Sequence, residues 1–232
     1  MVSLKMNTFL VKPLFRFSFP FQLQTLFIFA GILFFATPSQ SQSTRHSNKL
    51  EQYRKQKAKG YLSDPKGPLD AEGVQHLAYF APSKSYVVKA TITLLPEEPP
   101  FLMDTYDGNS AAYIRYAILS FQLPSDTSTH QLTVYRSVRL KDNPAYKNHL
   151  FLPFKDHSNG DVTYGGGRYM DLSDKDFKKN TIQLDFNYAY NPYCAYSNGY
   201  RCPIPPYENH LSGTVLAGEK AFKGKIRERV RE

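Results

Sequence analysis

Between Thr163 and Asn209 the chain gathers Arg168, Asp171, Asp185, Glu208, both of its cysteines and a run of tyrosines. A guanidinium among carboxylates suits two tasks. It neutralises one of them in an ion pair, or it clamps a ligand's carboxylate, phosphate or sugar hydroxyl. The favoured pairing is Arg168 with Glu208, a Pro-rich loop folding back to set Glu208 and Asn209 over the strand that bears Arg168. The plainer reading of that pair is a buried anchor for the loop. Asp171 and Asp185 fall on one sheet face in the register argued below, with Tyr169 beside them. Two carboxylates about 5–10 Å apart perform acid–base work on glycosides, although such pairs on a solvated face more often serve solubility. Tyr164, Tyr190, Tyr193 and Tyr196 either form an aromatic wall or simply bury rings and satisfy hydroxyls. Asn187 and Asn191 either meet a ligand or hold turns through backbone bonds. The candidate ligand-binding set is Tyr164, Arg168, Tyr169, Asp185, Asn187, Asn191, Glu208 and Asn209. No residue is assigned to catalysis, no metal site is expected and no cofactor is implied.

Cys194 and Cys202 are the two cysteines of the chain. In an exported protein they most simply form one disulfide. Free structural thiols are the next reading. Zinc fits poorly, because the spacing is not that of a short ligand pair and no histidine lies close in sequence. A nucleophilic thiol needs a base, and none of the six histidines forms a motif with either cysteine.

These side chains need elements to position them. Gly165, Gly166 and Gly167 permit a tight turn or close backbone approach. No Lys-Ser/Thr pair or helical pattern follows them, so they are not a phosphate-binding loop. Arg168 to Leu172 reads as a strand. Ile182, Leu184 and Phe186 alternate with Gln183, Asp185 and Asn187, a half-buried strand. Pairing the two antiparallel sets Leu172 against Ile182, Met170 against Leu184, Tyr169 against Asp185 and Arg168 against Phe186. Arg168 then lies on the apolar face and needs a carboxylate partner. From Ala189 to Asn209, Pro192, Pro203, Pro205 and Pro206 exclude regular structure. The tyrosines and cysteines argue for an ordered flap rather than a disordered one.

The motif order in this block is Thr-Tyr-Gly-x-Gly-Arg-Tyr-x-Asp-Leu, then Asp-Phe-Asn-x-Ala-Tyr-Asn-Pro-x-Cys-Ala-Tyr, then Cys-Pro-Ile-Pro-Pro-x-Glu-Asn. It resembles a bacterial domain-of-unknown-function family, number sixteen eighty-four, from the Pro68 region to Glu219. The resemblance supplies positions and no chemistry.

Upstream, Lys5, Lys12 and Arg16 precede an apolar run from Leu23 to Ala36 and then TPSQSQS. This is the layout of a secretory signal peptide cut near Ser39 or Ser41. The competing reading is an uncleaved membrane anchor, which the run's length disfavours, since it is shorter than the ~20 residues of a span. With the segment removed no stable span remains, and the protein is expected outside the cytoplasm, periplasmic or secreted. Those three basic residues account for part of the net charge of +9, leaving +6 for the remainder. Much of that lies in residues 45–59 and 220–231. No basic stripe interleaved with aromatics marks a nucleic-acid face.

The chain divides into a signal peptide (residues 1–41), a surface helix and linker (42–67), one β-rich domain (68–219) and a basic tail (220–232). A helix is expected from Ser47 to Gly60, capped at Ser47 or Asn48 and ended by glycine. Period-two patterning follows from Tyr86 to Leu95, and Phe101 to Tyr106 and Ala112 to Leu123 are strand candidates. Gln131 to Leu140 alternates again, and Leu150 to Phe154 is a short apolar run. Asp107-Gly108-Asn109 and Asn159-Gly160 are turns. Regular strand spacing predicts an all-β, mainly antiparallel sandwich or barrel, with a short N-terminal helix and a long ordered loop. Three functions fit: binding of a small-molecule or carbohydrate ligand at the 163–209 block, a glycoside or ester hydrolase using carboxylates near Arg168, or a purely structural envelope role.

Overall fold

A computed structural model describes residues 38–124 and 126–228, with side chains from residue 44 onward. The signal-peptide reading of residues 1–41 falls outside the described residues, apart from the helical backbone at 38–41. No helix among the described residues is long and apolar enough to cross a membrane.

Seven strands form one antiparallel sheet: β1 (Val87–Leu94), β2 (Phe101–Asp104), β3 (Ser110–Gln122), β4 (Thr129–Ser137), β5 (His149–Phe154), β6 (Arg168–Ser173) and β7 (Thr181–Asp185). The order is β6-β5-β4-β3-β1-β7, with β2 on β3. The all-β expectation holds, and the sheet curls as a half-barrel. β1 pairs with the far half of β3, from Ala117 to Ser120, and β2 with the near half, from Ser110 to Tyr113.

One expectation fails. β6 and β7 do not pair. β6 lies against β5, with Leu172 opposite Leu150 and Arg168 opposite Phe154, whereas β7 lies against β1, with Leu184 opposite Val88. Neighbours in sequence suggested a hairpin, but the polar 3-10 turn Asp174–Lys178 carries the chain to the opposite end of the sheet. The parity of both strands was still read correctly, since Met170 and Leu184 both enter the main core. That core lies under Val88, Ala90, Leu119, Leu132, Val134, Leu150 and Leu152. It is closed from below by Leu211, Val215 and Ala217.

A β-bulge in β3 decides what the other face carries. The register jumps between Arg115 and Ala117. One extra residue reverses which side chains point to which face. Beyond the jump, Ala117, Leu119 and Phe121 enter the main core. Before it, Tyr113 turns to the opposite face and joins Met103, Tyr135, Phe151 and Tyr169 in a second, aromatic cluster. Tyr113 stacks on Phe151 at 5.6 Å, and Phe151 meets Tyr169 edge-on at 4.8 Å.

The N-terminal helix α1 (Pro38–Ser63) is longer at both ends than its caps suggested. It is also not merely superficial: Leu50 is 0% exposed and Tyr61 3% exposed. Tyr61 packs with Leu69, Ala195 and Tyr196. Arg54 and Lys57, on the same helical stripe, lie over the rings of Tyr79 and Tyr190. Past the main core, Arg227 N–H donates to the Tyr196 carbonyl, so the basic tail is held against the body at least this far.

Candidate functional site

The long loop folds back over the aromatic face as a flap. Cys194 and Cys202 are joined by a disulfide with a Cα–Cα distance of 6.2 Å. Backbone bonds then stitch the flap to the end of β2: Tyr106 N–H donates to the Cys202 carbonyl at 2.9 Å and Ile204 N–H to the Asp104 carbonyl at 2.7 Å. The Tyr169 hydroxyl donates to the Pro203 carbonyl. On the other side, Tyr190 exchanges two backbone bonds with Tyr169, of 2.8 and 3.0 Å, and so covers the outer edge of β6.

Asn209 ties down the flap's far end by repairing the sheet. Pro153 lies inside β5, where it has no N–H to give to β4. The Asn209 amide takes the vacant place. Its Oδ1 accepts from Thr133 N–H at 2.7 Å, and its Nδ2 donates to the carbonyls of Thr133 at 2.8 Å and Pro153 at 2.6 Å. The side chain acts as a short piece of strand inserted between β4 and β5.

The tether is therefore not the one expected. Arg168 does not meet Glu208. It is completely buried on the core face, where its Nη2 donates to Asp156 at 2.7 Å and to the Val215 carbonyl at 2.8 Å, and its Nη1 donates to the Ala217 carbonyl. Asp156 sits in the turn after β5, nearer to Arg168 in sequence than any residue of the flap, and it is buried. Gly167 makes this geometry reachable. Its φ is +90°, and a Cβ there would come 2.7 Å from the Phe154 carbonyl oxygen. Glu208 instead accepts from Arg115 at 3.1 Å and from the Tyr135 hydroxyl at 3.1 Å, on the aromatic face.

The other expected residues disperse. Asp185 binds His46 of α1 at 2.6 Å and receives the Asn187 amide at 2.7 Å. Asn187 also pairs with the backbone of Ser83, accepting at 2.9 Å and donating at 2.8 Å. Asn191 donates to the Lys220 carbonyl at 2.8 Å. Tyr164 packs against the cluster of Tyr61 and Tyr196. Asp171 and Asp185 stand on strands at opposite ends of the sheet and share no site. Of the eight ligand-binding candidates, Tyr169 lines the cleft described next.

Between flap and aromatic face lies an open cleft of about 460 Å³. Tyr113, Phe151 and Tyr169 line it from the sheet, and Tyr190, Pro192 and Tyr193 from the flap. Asp171 is its carboxylate. Asp171 Oδ1 receives the Tyr190 hydroxyl at 2.8 Å and lies 2.9 Å from His149 Nε2, and the side chain remains 47% exposed. Desolvation pushes this carboxyl's pKa upward, but His149, the Lys57 charge and Tyr190 together hold it below the ordinary value. Burial and the adjacent Asp171 push the Tyr190 phenol well up. Lys57 of α1 also lines the cleft, its Nζ 3.3 Å from the centre of the Tyr190 ring. Burial lowers the pKa of that ammonium, with Asp171 and Glu219 opposing.

Sequence reasoning missed His149 and Lys57. Leu150 to Phe154 is apolar throughout, so the run assigned no face to His149; the pairing of β5 with β6 turns His149 and Phe151 to the side of Tyr169 and Asp171. For Lys57 the only signal was its place one turn from Tyr53 and Tyr61. Glu219 was missed too. It is 1% exposed, accepts from the Tyr196 hydroxyl and from Asn191 N–H, and burial raises its pKa to about 7.

Such an arrangement can hold a small ring and hydrogen-bond to its edge. Among the described residues no group of three or more His, Cys, Asp or Glu is placed to hold a metal ion.

The comparisons agree with this architecture. No curated protein matches the chain. A family model described as "Protein of unknown function (DUF1684)" matches residues 72–220. The solution NMR structure of an uncharacterised protein of Haloarcula marismortui is similar, with 34% identity over 78% of this chain and 96% of that one, and a TM-score of 0.61. With more than half its length matched by that model, and the motifs of the flap and β6 falling inside the match, the chain belongs to the DUF1684 family of proteins of unknown function.

Proposed function

We propose that this protein is an exported, small-ligand-binding β domain whose site is the cleft between the disulfide-braced flap and the aromatic face of β3 to β6. The observation that carries the reading is Asp171. Its carboxylate is oriented by His149 and Tyr190, held ionised, and still open to solvent among aromatic rings. A mostly apolar concavity with few placed polar groups is the usual form of a small-molecule site. The hydrolase reading has less support. Two-carboxylate chemistry needs a second acid across the cleft, and Asp171 is the one carboxylate among its lining residues. Export is supported by the basic-then-apolar N-terminus and by the disulfide.

A thermal-shift screen of the purified protein against sugars, organic acids, peptides and divalent metals tests the site. Ligands that raise the unfolding temperature of the wild type should lose that effect in Tyr146→Ala, which removes an exposed ring at the cleft rim. An undiminished shift in that variant and in Asp171→Asn would place the ligand elsewhere. N-terminal sequencing of protein recovered from cell fractions tests export. The expected start lies just after Ser39 or Ser41, in the periplasm or medium. An intact Met1 in the cytoplasm would overturn it.

A further inference from the structure

We propose that the cleft recognises a neutral saccharide through a vicinal diol, with Asp171 accepting from one hydroxyl and Lys57 donating to its neighbour. The proposal rests on the cleft being the ligand site, and it assigns the ligand's chemical class.

The two groups are complementary and incompletely used. Both hydrogen bonds to Asp171 fall on Oδ1, from His149 and Tyr190. Its Oδ2 takes no hydrogen bond among the described residues, although the carboxylate is accessible. An ammonium carries three N–H donors, yet Lys57 makes no hydrogen bond or ion pair among the described residues. Its contacts are with ring faces, nearest Tyr190 at 3.3 Å. Tyr190 thus fixes both groups, the ammonium over its ring and the carboxylate at its hydroxyl. No ion pair joins them to each other among the described residues.

Other ligand classes fit less well. An anion would meet Asp171, which its donors keep ionised, and the cleft's second cation, Arg201, is already engaged by Asp107. A cation drawn to Asp171 would be repelled by Lys57 and Arg201, the cations of the lining. A purely apolar ring would bury both charges without partners, which is costly. A sugar has hydroxyls that both donate and accept, and an apolar ring face to lie against Tyr146 or Tyr193, both cleft-lining residues. Adjacent hydroxyls on one ring can bridge an acceptor and a donor that do not touch each other.

The test is a titration followed by NMR amide and aromatic shifts and by calorimetry. The probes are methyl β-D-glucopyranoside, methyl α-D-mannopyranoside, a monodeoxy analogue of whichever binds, and phenol as a ring without a diol. The proposal expects a pyranoside to shift His149, Tyr146 and Tyr193 signals. It also expects affinity to fall about tenfold or more for the deoxy analogue and for Lys57→Met and Asp171→Asn. The deoxy comparison uses the wild type, so it stands even if Asp171→Asn disturbs folding. If phenol shifts the cleft signals and no pyranoside does, the diol assignment fails while the cleft remains the site. If no probe shifts them, the saccharide proposal fails and the site reading loses its support with it. If a pyranoside binds equally well to Lys57→Met, or shifts residues elsewhere, the proposal is overturned.

Discussion

Arg168 and Asp156 form an ion pair 2.7 Å long with both side chains at 0% exposure. The pair does more than cancel charge. Asp156 Oδ1 accepts from the backbone of Ser158 at 2.9 Å and Val215 at 3.2 Å, while Arg168 holds the carbonyls of Val215 and Ala217. It joins the turn after β5, the start of β6 and the segment that closes the core.

Removing one partner leaves a buried charge alone, which typically costs about 3–5 kcal/mol. Arg168→Met and Asp156→Asn should each lower the unfolding free energy by about that amount in urea titrations. Ligand affinity at the cleft should change little in whatever fraction remains folded. A loss below about 1 kcal/mol would show that the pair is dispensable.

Asn209→Ala should be nearly as damaging. It strips partners from buried backbone groups of Thr133 and Pro153. Each buried group left unpaired costs about 1–3 kcal/mol, so a loss of about 3 kcal/mol or more is expected by chemical denaturation. Asn209→Asp should do no better, because it replaces the Nδ2 donor with an oxygen facing two carbonyls. Hydrogen exchange at Thr133 N–H should accelerate in both variants.

Glu219 makes stability depend on pH. Burial raises its folded pKa from 4.5 to about 7. The folded state therefore holds a proton that the unfolded chain has already released. Stability from this group is present in full below the unfolded value and is lost as pH rises through about 7. The loss is on the order of 3 kcal/mol. Urea unfolding at a series of pH values should show stability falling over that window, and Glu219→Gln should flatten the slope. An unchanged slope in the variant would assign the effect to another group.

Reducing the disulfide should loosen one wall of the cleft, since Cys202 lines it. In the chain-entropy view a loop this short contributes about 2–3 kcal/mol. Unfolding measured with and without reductant should differ by that much. Binding at the cleft should weaken before the β body unfolds. Equal affinity in both redox states would mean that the backbone bonds at Tyr106 and Ile204 suffice.

Much of this was legible from residues alone because it is local. The parity of β1, with Val88 and Ala90 inward, follows from alternation. So does the inward placement of Leu132 and Val134 in β4, whereas the continuous apolar run Leu150 to Phe154 gave no face, and the structure turns Leu150 and Leu152 inward. The disulfide was the leading reading of two cysteines in a chain expected to be exported, and it is present. What failed was pairing at a distance. Nothing near Leu172 announces that its strand meets Leu150 rather than Ile182. Arg168 correctly demanded a carboxylate, but alternation does not choose between Asp156 and Glu208. The bulge beside Tyr116 is invisible to a strict period of two, so Tyr113 could not be placed with Phe151. Lys57 reaches the cleft from a helix more than a hundred residues before Asp171, where pattern carries no information. Asn187 and Asn191 read as ligand contacts or holders of local turns, but Asn187 reaches the backbone of Ser83. Asn209, read as lying over the strand of Arg168, instead bonds the backbone of Thr133 and Pro153.

The flap's position over the rim of the sheet has one more consequence. Tyr190 occupies the outer side of β6, while Cys202 and Ile204 bind the backbone at the end of β2. Unpaired strand borders are where one chain recruits another into an extended, insoluble sheet. If the chain is exported as proposed, it leaves the reducing cytoplasm before its cystine closes and passes through a period with those borders bare. Its safe passage then depends on oxidation arriving before a second copy does.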